Sequence, residues 1–125
     1  MPETDRPRAE APEDLARLFH ARANAGDVEG LVALYEPEAV VAAGAVVATG
    51  HAEIRAFYAE LLARKSHFPA VEALPALRNG ELAMTFARLP NGQISVETAR
   101  LQADGGWRWV MDQLKIKPLA PADPA

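Results

Sequence analysis

The chain has 125 residues, no cysteine, and 17 acidic against 13 basic side chains, which gives a formal net charge of -4 and a pI near 5.3. That length fits one domain able to bury a single core, and the missing cysteines exclude a disulfide framework, a thiol nucleophile and a thiolate metal site. A nucleic-acid surface needs clustered cations to displace counterions from phosphates, and no basic run supplies them here.

Residues 1–8 are charged and proline-rich, the opposite of the apolar core of a secretory leader, and no apolar stretch approaches the ~20 residues of a membrane span. A cytoplasmic protein with no nucleic-acid or membrane partner is the expectation. Residues 1–11 and 118–125 combine proline, alanine and acidic side chains and are expected to be mobile tails around one domain over 12–117.

From Pro12, a good first-turn residue, Leu15, Leu18 and Phe19 recur at helical spacing until Gly26 supplies a stop. Asp27 caps a second helix whose apolar face is Leu31, Leu34 and Tyr35 and which Pro37 ends. Val40, Val41, Val46 and Val47 flank Gly44 and read as a small hairpin or a bent strand. Ile54, Phe57, Tyr58, Leu61 and Leu62 follow the i, i+3, i+4, i+7, i+8 pattern of a third helix, with Arg64, Lys65 and His67 at its C-terminal end. After Pro69, turn signals at Asn79-Gly80, Asn91-Gly92 and Asp104-Gly105-Gly106 separate four strands of a meander that ends near Ile116. The order predicts an α+β fold with helices gathered on one face of an antiparallel sheet.

Alternation along the last strand puts Val110, Asp112, Leu114 and Ile116 on one face and Trp107, Trp109 and Met111 on the other. With helices on the Asp112 side, the tryptophan side is expected to pack on a second copy, making a homodimer through Trp109 and Met111. The plainer alternative is that one tryptophan packs under a tail or a long loop.

Four segments carry a resemblance. Asn24-Ala25-Gly26-Asp27-Val28-Glu29-Gly30-Leu31, Leu34-Tyr35-Glu36-Pro37-Glu38-Ala39-Val40, Gly50-His51-Ala52-Glu53-Ile54-Arg55 and Asp104-Gly105-Gly106-Trp107-Arg108-Trp109-Val110-Met111-Asp112 occur in that order between Leu15 and Gln113. Together they resemble the SnoaL-like branch of the nuclear-transport-factor-like superfamily, which includes ketosteroid isomerases, limonene epoxide hydrolase and scytalone dehydratase. The resemblance implies a cone: a curved antiparallel sheet wrapped around about three helices, a cystatin-like roll with an internal pocket for a small hydrophobic molecule. Small bacterial ketosteroid isomerase homologues are the nearest look. Those relatives tend to follow the aspartate of the last strand with Asn-Pro, whereas this chain has Gln113-Leu114. The isomerases' aspartate base aligns with Ala42 or Ala43 and their oxyanion-holding tyrosine with Phe19, none of which moves a proton or donates a hydrogen bond from its side chain. Membership of a fold does not carry a reaction with it.

Asp112 is the leading titratable candidate, because burial beneath the helices raises a carboxyl's pKa and suits it to acid–base work, whereas an anchoring role is the structural alternative. With a three-residue loop at Asp104 to Gly106, Thr98 faces Asp112, Arg100 stands one diagonal step away and forms an ion pair with it, and Glu97 has the wrong parity. A two-residue loop puts Arg100 on the opposite face instead. The epoxide hydrolase's aspartate, arginine, aspartate group is therefore incomplete here, with Asp112 and Arg100 supplying two members. Phe19, Tyr35, Tyr58, Phe86 and Val110 are the expected pocket wall, or core. His20, His51 and His67 are scattered without i, i+4 spacing, and no phosphate loop, serine elbow or zinc pattern occurs, so neither metal nor cofactor is implied. The expectation is a small-molecule pocket protein or a non-catalytic dimeric association or ligand-binding module; the residues do not decide between turnover and binding.

Overall fold

The computed structural model describes residues 6–116, with side chains through Leu114. The expected C-terminal tail and the first five residues of the expected N-terminal one lie outside the described residues.

Two helices, α1 (Asp14–Asn24) and α2 (Val28–Val32), lead into the hairpin β1 (Tyr35–Ala43) and β2 (Val46–Thr49). Helix α3 (Gly50–Arg64) follows, then the meander β3 (Glu72–Asn79), β4 (Leu82–Arg88), β5 (Ile94–Leu101) and β6 (Trp107–Ile116). Gly26 takes φ +69 between α1 and α2, the left-handed stop that a side chain resists, and Asp27 caps α2 by accepting from the Gly30 N–H at 3.0 Å. The second helix is shorter than its apolar pattern predicts. Tyr35 leaves it to open β1 opposite Trp109, whose N–H donates to the Leu34 carbonyl at 2.7 Å, so sheet pairing overrides the helical spacing. Pro37 lies inside β1, where the β1–β6 register shifts between Tyr35 and Val40 and no ladder bond is asked of it.

The strands form one six-stranded sheet in the order β2-β1-β6-β5-β4-β3. This corrects the expected wrapped antiparallel cone: β1 and β6 are parallel, so the sheet is mixed, and it ends at β2 and β3 without closing or curling strongly. The cause is connectivity. A crossover through α3 delivers β3 in the same direction as β2, and three hairpin reversals then bring β6 back beside β1 pointing the same way. Leu15, Leu31, Tyr35, Val41, Ile54 and Tyr58 are the largest fully buried side chains, packed between the helices and one sheet face.

A bulge in β6 decides what reaches that face. Leu101, Arg100 and Ala99 pair in step with Trp107, Arg108 and Trp109, but Thr98 then pairs with Met111, leaving Val110 as the extra residue. Inserting one residue exchanges faces, so Trp107, Trp109 and Asp112 all point under the helices and are buried, while Met111 is 53% exposed on the outer side. The expectation that Trp109 shares the outer face with Met111 is thus corrected. From Arg6 onward the N-terminal segment is docked. Ala9 is buried and its carbonyl accepts from the Trp107 N–H at 2.9 Å, while Arg6 makes two hydrogen bonds to Asp27.

Candidate functional site

One row of paired residues crosses the buried face of the sheet: Thr85 on β4, Glu97 on β5, Asp112 on β6 and Val41 on β1. All four are buried. Above the row, Tyr35 comes from the first position of β1, and Tyr58 comes from α3, one turn after Ile54 on its buried stripe.

Two donor lines converge on the two carboxyls. The Tyr35 hydroxyl donates to Asp112 Oδ2 at 2.5 Å; with that proton engaged, the Tyr58 hydroxyl donates to the Tyr35 oxygen at 2.7 Å. The Thr85 hydroxyl donates to Glu97 Oε1 at 2.6 Å, and the Trp109 indole N–H donates to the Thr85 oxygen at 3.2 Å. Asp112 Oδ1, equally buried, has no hydrogen-bond partner among the described residues. An orphaned buried acceptor costs about 1–3 kcal/mol, so its presence in a packed core calls for a reason.

Electrostatics follow from this placement. Burial drives the Asp112 carboxyl well above the usual carboxylate range and the Glu97 charge adds to the shift, with the Tyr35 hydrogen bond opposing it. Burial also raises Glu97, against the hydrogen bonds from Ser95 and Thr85. Tyr35 and Tyr58 are held well above the ordinary phenol value, first by burial and then by the Asp112 charge. Both phenols therefore stay protonated at neutral pH.

Several expected site residues meet here. Asp112, Tyr35 and Tyr58 are joined by hydrogen bonds, and Phe19 sits edge-on to Tyr58, with ring centroids 5.8 Å apart and 6.1 Å from Trp109. Arg100 does not join them. The register pairs it with Arg108, and its guanidinium bonds Glu36 Oε2 at 2.9 Å on the exposed side, so the expected Arg100–Asp112 ion pair is corrected. Phe86 also falls outside, because Thr85 and Ala87 take the buried face and alternation turns Phe86 to the other, opposite Val96. Val110 is the bulge residue and lines no part of the row. Glu97 is the residue that strict alternation hid. Its strand reads Ile94, Val96, Thr98 on one side and Ser95, Glu97, Ala99 on the other, and the more apolar side is the outer one.

A cleft of about 370 Å³ lies elsewhere, against the N-terminal segment, lined by Arg6, Arg22, Leu34, Trp107 and Arg108 among others; Asp112 does not line it. Among the described residues, no group of three His, Asp or Glu side chains is placed to hold a metal, and no helix is long and apolar enough to cross a membrane.

The profile of the SnoaL-like domain family matches residues 15–117, and the chain belongs to that family. No curated protein matches it. Solved structures of similar fold include a ketosteroid isomerase-like protein from Erwinia carotovora atroseptica, 20% identical, covering 85% of this chain and 94% of that one with a TM-score of 0.63. A candidate calcium/calmodulin-dependent protein kinase type II association domain from Thiobacillus denitrificans is 19% identical over 86% of this chain and 96% of the other, with a TM-score of 0.67. An NTF2-like protein with a cystatin-like fold from Novosphingobium aromaticivorans is 25% identical over 81% and 76%, with a TM-score of 0.60. The superfamily recognised from the four sequence segments is the one found, as an α+β fold.

Proposed function

We propose that the protein binds or transforms a small, mostly apolar molecule carrying an oxygen function, held at the buried face of the sheet beside Asp112. The observation that carries this reading is Asp112 Oδ1, a buried oxygen with no partner on a carboxyl whose other oxygen is fixed by the Tyr58–Tyr35 donor line. A carboxyl oriented from one side, with its second oxygen unpartnered, suits a ligand hydroxyl or carbonyl, and a pKa raised by burial is the direction that acid–base work calls for. The family's association with small-molecule sites supports the same reading. Ketosteroid isomerisation is not part of the proposal, since Phe19, Ala42 and Ala43 supply neither an acid nor a base.

The test is a screen of small uncharged alcohols, ketones and lactones, read by NMR at the Trp109 indole N–H and repeated on Asp112→Asn. Compounds that shift the indole resonance in the native protein and bind at least about tenfold more weakly to the variant support the site. If no compound moves that resonance, or the variant binds equally well, the reading falls.

The outer face favours a second role, a homodimeric association module. Leu77, Met84 and Met111 lie along one line of strand pairing, interrupted by Thr98, and are 65%, 39% and 53% exposed, with Leu82 nearby at 44%. An apolar stripe on a sheet face that none of the described helices covers suits burial against the same stripe of a second copy. Trp109 has no part in this interface, being turned to the other side.

A further inference from the structure

Glu97 and Asp112 face each other across β5 and β6 on the buried side. Directly paired residues hold their Cβ atoms about 4.5–5.5 Å apart, so two carboxylates so placed and shielded from water repel each other strongly. Each has its own donor line, Tyr58 through Tyr35 to Asp112 and Trp109 through Thr85 to Glu97. With two protons the pair gives up much of the acceptor strength that the Tyr35 and Thr85 hydroxyls call for, and with none it buries two like charges. A single proton satisfies both demands, and Asp112 Oδ1, which no donor engages, is an oxygen that can carry it. The polar side chains facing the pair are Tyr35 from β1, Tyr58 from α3, Thr85 from β4, Ser95 from β5 and Trp109 from β6; of these the tyrosines alone titrate, and far above neutrality.

We propose that Glu97 and Asp112 hold one proton between them through neutral pH, so that the site keeps one negative charge and selects neutral or cationic small molecules over carboxylates. This rests on the small-molecule reading of the Asp112 site and narrows the class of molecule it takes. A carboxylate ligand would bring a second negative charge into the same low-dielectric space. A neutral alcohol meets the one-proton pair with a donor and an acceptor, and an ammonium group neutralises it beside the cluster of Phe19, Tyr35, Tyr58 and Trp109 rings.

The experiment has two arms on the whole chain. Carboxyl carbon NMR through a pH series should show two steps shared by Glu97 and Asp112, one complete below neutrality and one above it, and Glu97→Gln should leave Asp112 a single step below the upper one. Both carboxyls ionising together in the ordinary acidic range would overturn the proposal, and the native titration decides this even if the variant does not fold. The second arm titrates benzyl alcohol, benzylamine and benzoate, matched in size, against the Trp109 indole resonance. Benzoate should bind at least about tenfold more weakly than the other two. Equal binding of benzoate with the shared titration intact overturns the selection alone, whereas no binding by any probe overturns the small-molecule reading and the selection with it.

Discussion

Where β4, β5 and β6 meet, the two faces of the sheet depart in opposite directions from the polarity that globular proteins ordinarily give them. The buried face carries Thr85, Ser95, Glu97 and Asp112 in its middle, while the open face carries Leu77, Leu82, Met84 and Met111, each at least 39% exposed. Antiparallel sheets with one covered side normally show apolar residues inward and polar ones outward. Each departure costs stability unless something is gained, through desolvation of carboxyls inside and hydration of apolar side chains outside. These two departures match the two proposed encounters, one beneath the helices and one on the opposite surface, and the bulge at Val110 turns Trp109 and Asp112 inward together.

The inner face offers the largest effect. Asp112 and Glu97 have folded pKa values raised above their ordinary ones, so the folded state binds more protons than the unfolded state once pH exceeds the ordinary carboxylate range. Their contribution is fully present below that range and is lost as pH rises through the folded values. Asp112→Asn removes one titration, and its amide offers Glu97 a donor while still accepting from Tyr35. Urea unfolding should therefore find the variant about 1–3 kcal/mol more stable than the native protein near pH 8, with the advantage vanishing near pH 4. A variant less stable at both pH values would show that the buried carboxyl is a structural anchor and that the inner face is not inverted in energy.

The outer face should yield association without a comparable change in folding. Met84 and Met111 flank Thr98 on neighbouring strands, so Met84→Glu together with Met111→Glu puts two charges in the middle of the apolar stripe. Sedimentation equilibrium should show a native dimer at micromolar concentration and a monomeric variant whose folding stability, compared as monomer, is within about 0.5 kcal/mol. A native monomer would remove the dimer and leave the stripe unexplained; a variant that still dimerises would move the interface off this face.

Much of this architecture is legible in the sequence because its signals are local. Gly26 followed by Asp27, the Ile54 to Leu62 stripe and the three Gly-containing turns mark element ends whose conformations depend on a few neighbouring residues. The candidate site is legible only in part. Asp112, Tyr35 and Tyr58 stand out by type and place, but Glu97 and Trp109 depend on β5–β6 register, which a bulge changes without changing composition. The parallel β1–β6 pairing is equally silent, because it joins strands whose first paired residues, Tyr35 and Trp109, lie far apart in the chain, and no single tight turn links the two strands. The three-residue register gives Glu97 the wrong parity to share a face with Asp112, and the bulge at Val110 is what brings the two opposite each other.

The smallest effect tests whether the two faces are electrically separate. Arg100 lies outside, its guanidinium on Glu36 Oε2, an oxygen that also accepts from the Gln102 amide at 2.8 Å. Its side chain is about half exposed (49%), so water screens the pair, and exposed ion pairs contribute little. Arg100→Gln should change stability by no more than about 0.5 kcal/mol and leave the carboxyl titration of Asp112 where it is. The null result carries information, because the alternative hairpin register would bring the guanidinium against Asp112 and hold its pKa down, so that removing the arginine would raise it. A clear upward shift of the Asp112 titration in Arg100→Gln would mean that the β5–β6 register is wrong, and with it the inward turn of Trp109 and the pairing of Glu97 with Asp112 on which both the site and its charge preference depend.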